Sequence, residues 1–441
     1  MRIDLNKLSR VQFLLLYVIE IAVLSILLIK RSGNLTPWYD EFLFLTHGVR
    51  MFTELNFTSI ITNSFFNFGG QTTGPLGVVG SSLGWILTKD LVITRFFSFA
   101  WPFLLFNASL LYLNKFYKVN YLLYLIPPLI FVLPPWWFGS LYSLGEFTGA
   151  VIFFLSMMLL DKAPYASAFL AGLTVFFTKL LFLLPCLILI GYLTLNKFKL
   201  KNIIYPSIFF APAFLYVLLL SISTPGFDYN IFSYLIDLYK FAFTNTTLGL
   251  PSEVGTWSMA SLLRTLVTPL VAFLYLFKNK SNLLSISSKN VYVYILANLV
   301  SYLWFWGLSD TQYIRYTQFY IVPLIFLMTF IPFQLSIDSD QVDVLLLTLF
   351  FTLYLSSELL ILLSLIPVIF YLLKKLSLNN LLLCVLVLGL LNILNMNSEV
   401  QDTYDFSVLN AECVEINSKA CMFALAEFED TFLRIAKSDA P

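Results

Sequence analysis

Long apolar runs separated by short charged loops dominate the chain, and their lengths predict an all-α, polytopic transmembrane bundle. Crossing a hydrocarbon core about 30 Å thick takes about 20 apolar residues at a helical rise of about 1.5 Å each. Runs near that length lie at 11–29, 91–113, 121–137, 203–222, 260–277, 291–308, 316–333 and 378–394, with a shorter one at 146–160. Two runs are too long for one crossing. Tyr165 to Leu195 is 31 residues, about 46 Å as a single helix, and Val342 to Leu373 is of similar length. Each has one polar interruption, Lys179 in the first and Ser356-Ser357-Glu358 in the second. We read each as two short helices, a break that membranes tolerate where it lines a cavity or the interface. The total is about 13 crossings.

Basic residues in the short loops orient these crossings. Arg2, Lys7 and Arg10, then Lys115 and Lys118, Lys162, the group Lys197, Lys199 and Lys201, the loop from Lys278 to Lys289, and Lys374-Lys375 all fall on one side, taken as cytoplasmic. The first run is longer than a signal-peptide core, is followed by Lys30-Arg31 and lacks a small-x-small cleavage site, so it reads as a retained span. The expected organisation is a transmembrane domain over 1–395, whose first outside loop covers 33–88 and carries juxtamembrane helices, and a short tail over 396–441 on the same outer face. Cys413 and Cys421 in that tail would suit a disulfide in an oxidising compartment. Cys186 and Cys384 lie inside apolar runs and read as small buried hydrophobes.

Composition agrees with this class: 59% of residues are hydrophobic, 12% are charged and mean hydropathy is +0.84, whereas soluble domains carry roughly 25% charged residues. A net charge of +1 gives no electrostatic case for nucleic acid. The obligatory partner is the lipid bilayer, and the 45 Phe and 24 Tyr suit lipid-facing and interfacial positions.

Candidate chemistry starts at Thr36-Pro37-Trp38-Tyr39-Asp40-Glu41, where two adjacent carboxylates follow the first span. A carboxylate at the water interface can accept a proton or hold a metal beside a membrane-held substrate, and the bland reading is a pair of charges at a helix N-terminus. His47, the one histidine, lies two helical turns from Asp40 and on its face if the segment is helical. With the two carboxylates it is a thin metal set, so a divalent cation stays open as a cofactor, and a solvated interfacial imidazole is the simpler account. Glu146 opens the fourth run after Gly145, a place that suits substrate contact or merely a helix start. Lys179, Arg95 and Arg315 are cations that could meet a lipid phosphate. Their plain alternatives are snorkelling for Lys179, a flanking charge for Arg95, and pairing with Asp310 for Arg315. Glu20, in the middle of the first span, is either functional or protonated or paired between helices.

Taken in order, Asp40-Glu41 after the first span, a membrane-surface segment, Gly74-Pro75-Leu76 leading into an apolar helix, Arg95 at the head of the next span and Thr178-Lys179 between two short helices resemble the GT-C superfamily of integral membrane glycosyltransferases. The likeness is to the branch with protein O-mannosyltransferases and lipid A aminoarabinose transferases, and it covers about the first 200 residues. Gln71-Thr72-Thr73-Gly74 stands where relatives of the aminoarabinose type carry an acidic and a basic residue, so that second carboxylate and that lysine are absent.

The resemblance implies a sugar donor on a polyprenyl phosphate and a glycan, lipid or protein acceptor. It implies inverting transfer on the non-cytoplasmic face of a bacterial plasma membrane, with no cofactor beyond a metal ion. Asp40 would be the base with Glu41 beside it, Lys179, Arg95 and Arg315 would bind the donor phosphate, and His47 and Glu146 would touch substrate. Two other classes compete. An O-antigen polymerase or ligase would rely on late-loop arginines and histidine, and a lipid-linked saccharide flippase would show paired repeats with charges along a central path.

Overall fold

The structure is a computed structural model that describes residues 10–32, 39–55, 57, 73–117, 124, 145–195 and 200–223, with scattered positions between 231 and 300. Among the described residues the chain is helical and forms no β-strand, only one isolated bridge. The runs at 121–137 and beyond residue 223, including the second split run, Arg315 and the Cys413 and Cys421 tail, lie outside the described residues.

Helix α1, Arg10–Ser32, is the first apolar run. Its residues Val11, Leu14, Leu15, Val18 and Ile19 are exposed. So are Leu104 and Leu111 on α4, Leu91–Leu113, and Phe214, Leu215 and Leu218 on α8, Ile204–Ser223. Continuous apolar faces of this size are costly in water and cost nothing in lipid. Both α4 and α8 are long and apolar enough to cross a membrane, and each matches its run to within a residue or so at both ends.

Between these lie shorter helices. Helix α2, Tyr39–Thr53, follows the acidic pair; at 15 residues it is about 22 Å long, too short to span. Helix α3, Pro75–Thr88, starts on a proline that suits the first turn because its missing N–H would have had no helical partner. It ends at Lys89, whose left-handed φ of 55° turns the chain sharply, and Asp90 then caps α4 by accepting from Ile93 N at 2.9 Å. The resulting hairpin packs closely because Gly80 and Gly84 face α4: a Cβ at Gly84 would lie 2.8 Å from the Thr94 Cα. Trp101 Nε1 closes the contact by donating to the Leu76 carbonyl at 2.9 Å.

Helix α5, Glu146–Met158, fills the middle of the described bundle, with nearly all its side chains buried. Phe154 stacks on Phe106 of α4 at 5.8 Å. At 13 residues it is about 20 Å long, shorter than the crossing expected from 146 to 160. The run from Tyr165 to Leu195 breaks at Lys179, as its length requires. Helix α6, Pro164–Leu173, widens into a π turn over Thr174–Thr178. Lys179 is extended (φ −150°, ψ 124°), Leu180–Phe182 form one 3-10 turn, and α7, Leu183–Leu195, completes the run. Cys186 on α7 is a buried free thiol, as expected.

Candidate active site

The end of α1, the start of α2 and the first turn of α4 meet at Arg95. Its Nε and Nη2 each donate to a carboxylate oxygen of Glu41 at 2.7 Å, and its Nη1 donates to the Ser32 carbonyl at 2.6 Å. Both side chains are 1% exposed. A two-pronged ion pair of this kind fixes direction as well as distance. The sequence alone set Glu41 beside the base and Arg95 at the phosphate; the structure joins them to each other. Together with Ser32 they tie the exit of the first span to the helix that begins at Tyr39. The backbone of Asp40 is the second residue of α2.

A second polar centre forms 106 positions apart in sequence, where Lys179 Nζ donates to Thr73 Oγ1 at 2.7 Å. Thr73 and Lys179 are also partners in the isolated antiparallel bridge, reinforced by Gly74 N donating to the Thr178 carbonyl at 2.9 Å. The approach is close because position 74 has no side chain: a Cβ there would lie 2.6 Å from the Phe177 carbonyl carbon. Gly145 is required for a different reason, since its φ of +74° lies in the left-handed region and it turns directly into α5. The π turn before Lys179 releases the chain from the helix, and such turns are frequent at functional sites. Lys179 N reaches back five residues to the Thr174 carbonyl at 3.1 Å.

The Lys179 ammonium lies 4.4 Å from the centroid of the Phe44 ring, on α2. Asp40, Phe44 and His47 fall at i, i+4 and i+7, one stripe of that helix. The cation meets that helix at Phe44. Glu41 lies about a quarter turn away and serves the clamp with Arg95.

Two plain readings of single residues are corrected by burial. Lys179 does not snorkel, because it is 5% exposed with its head group turned in onto Phe44 and Thr73. His47 is not solvated: it is 0% exposed, and neither ring nitrogen has a hydrogen-bond partner. Burial, and then the charge of Arg50, push its pKa down to about 3, so the imidazole is neutral. Glu146 does stand at a helix start, buried at the first position of α5. Among the described residues no three His, Cys, Asp or Glu gather closely enough to hold a metal ion. Thr73 and Phe44 escaped sequence reasoning. The signal for Phe44 was its place one turn after Asp40, and for Thr73 its place before a glycine and a proline that together invite close backbone approach.

Searches of family models and of curated proteins find no match. Among solved structures, the lipid A aminoarabinose transferase ArnT from Cupriavidus metallidurans, a GT-C membrane glycosyltransferase bound in that crystal to undecaprenyl phosphate, matches with a TM-score of 0.54 and 13% identity over 88% of this chain and 76% of that one. The chain has the ArnT fold. The apo structure of ArnT aligns over 86% of this chain and 75% of its own, at 12% identity and a TM-score of 0.48. The likeness to the bound form extends well past the first 200 residues that carried the resemblance in sequence, and the ArnT fold is that of a multi-span membrane protein.

Proposed function

We propose that the chain is a membrane glycosyltransferase that moves a sugar from a polyprenyl-phosphate donor to a hydroxyl or amine acceptor on the non-cytoplasmic face. The observation that supports this reading is the Lys179 ammonium 4.4 Å from the ring of Phe44, which stands one helical turn after Asp40 in α2. Residues one turn apart on a helix are about 5–6 Å apart at Cβ. In this reading a base one turn before Phe44 and a cation over its ring flank an anomeric carbon and its leaving phosphate. The ArnT fold supports the same reading, because the ArnT crystal contains undecaprenyl phosphate.

In this scheme the acceptor oxygen or nitrogen attacks the anomeric carbon while Asp40 takes its proton. The bond from that carbon to the phosphate oxygen breaks, and the electron pair leaves with the prenyl phosphate. One displacement inverts the anomeric centre. Lys179 offsets the negative charge that builds on the departing phosphate, an interaction strengthened by its exclusion from water. The Glu41–Arg95 clamp holds α2 so that Asp40 keeps its aim, Glu146 and His47 line substrate space, and Arg315 adds a further phosphate contact.

The test uses purified protein and a panel of undecaprenyl-phosphate-linked sugars, with release of undecaprenyl phosphate as the signal. Asp40→Asn should slow release by about 10²- to 10⁴-fold, the range for loss of a positioned base. Full activity in a folded Asp40→Asn protein would remove Asp40 as base. A wild-type protein that neither binds nor turns over any of the panel would remove the transferase reading.

A further inference from the structure

We infer that Thr73 is the positioning residue for the Lys179 ammonium, fixing where the cation meets the donor phosphate. The inference rests on the transferase reading above and adds to it a residue with no charge and no place in the acid–base chemistry.

Three observations carry it. The Thr73 side chain is 0% exposed, and its hydroxyl accepts from Lys179 Nζ at 2.7 Å. Its methyl group is walled in by two glycines: a Cβ at Gly145 would lie 2.6 Å from Thr73 Cγ2, and one at Gly77 would lie 2.8 Å from it. The backbone on either side is pinned by the bridge to Lys179 and by the bond from Gly74 N to the Thr178 carbonyl.

A threonine Cβ carries only a methyl, a hydroxyl and a hydrogen, so its χ1 is stiff. Once the methyl is lodged between Gly77 and Gly145, the hydroxyl has one direction left, and that direction is the lysine. A lysine stem has four rotatable bonds and a compact charge, so it needs an outside group to hold it at one point. Thr73 is that group on one side and the Phe44 ring on the other. A hydroxyl is suited to this task because it accepts one of the three ammonium N–H bonds without cancelling the charge, as a carboxylate would.

The test measures binding of undecaprenyl phosphate to the full-length protein in detergent, by native mass spectrometry, for wild type, Thr73→Val, Thr73→Ser and Lys179→Met. Valine keeps the lodged methyl and removes the acceptor. It should weaken binding about tenfold, the worth of one hydrogen bond to a charged group at the lower end of its range. Serine keeps the acceptor and should stay within about threefold of wild type, a rescue that a purely structural role for the side chain does not predict. Lys179→Met should lose more than either. If Thr73→Val binds like wild type while Lys179→Met does not, the positioning role is wrong and the phosphate reading stands. If Lys179→Met also binds like wild type, both fall together. Should the valine protein not be recoverable, Thr73→Ala removes the same acceptor with the same expected loss, and unchanged binding there overturns the inference equally.

Discussion

Two buried cations, Arg95 and Lys179, each meet α2, and they are held in opposite ways. Arg95 is gripped by a carboxylate with two bonds of 2.7 Å and by a main-chain carbonyl, so the clamp balances its own charge. Lys179 donates to a hydroxyl and lies over the face of an aromatic ring, contacts that aim a positive charge. The first arrangement suits a joint and the second suits a ligand. Arginine's planar fork fits the bidentate task, while lysine's point charge on a flexible stem fits one that needs aiming. The two are linked through α2, which offers Glu41 to the clamp and Phe44, on another side of the helix, to the cation.

The largest effect should come from breaking the joint. Arg95→Met leaves Glu41 as an uncompensated buried carboxylate, and removing one partner of such a pair costs about 3–5 kcal/mol. Thermal unfolding in detergent should show a large drop. The double variant Glu41→Met with Arg95→Met should recover much of it, since replacing both charges by apolar groups is often near neutral. A single variant as stable as wild type would place the clamp outside the structural frame and dissolve the contrast between the two centres.

Breaking the second centre should show in substrate use. Lys179→Met removes a charge-assisted contact worth about 1.5–3 kcal/mol, so donor use should weaken by roughly 10- to 150-fold. Initial rates against donor concentration, compared with rates against acceptor concentration, would separate the two. An equal loss for both substrates would mean that Lys179 acts on the frame as Arg95 does.

How much of this was legible in the sequence follows from what each feature depends on. The spans at 91–113 and 203–222 and the break at Lys179 could be read directly, because a bilayer imposes a length and a lysine interrupts an apolar run wherever it falls. The pairing of Glu41 with Arg95 could not, since it joins residues 54 apart and nothing local marks a carboxylate as structural rather than reactive. Solvated histidine and snorkelling lysine were reasonable readings of a polar residue near an interface. They fail because α3 packs on both α2 and the π turn, with Gly48 admitting the Val78 and Ser82 side chains and Gly74 and Gly77 letting backbones approach closely. Gly74 and Gly145 were visible as letters, yet their role depends on Thr73 and Lys179 arriving from distant parts of the chain.

The smallest effect concerns the other titratable group described as buried on α2. His47 is fully buried and its pKa is pushed down to about 3, by burial first and by the Arg50 charge second. A group whose folded pKa lies below its unfolded value near 6.5 contributes stability that is complete above about pH 6.5 and is lost as pH falls toward the folded value. By pH 5 the loss should be on the order of 2 kcal/mol, in a window where ordinary carboxylates remain ionised. Thermal unfolding of wild type at pH 7.5 and pH 5, set beside His47→Gln, should show a drop in wild type that the neutral amide largely abolishes. Equal slopes for the two proteins would mean that the imidazole reaches solvent or an anionic partner when protonated. The α2 stripe would then be a hydrated wall, and Lys179 would be aimed within water rather than within the fold.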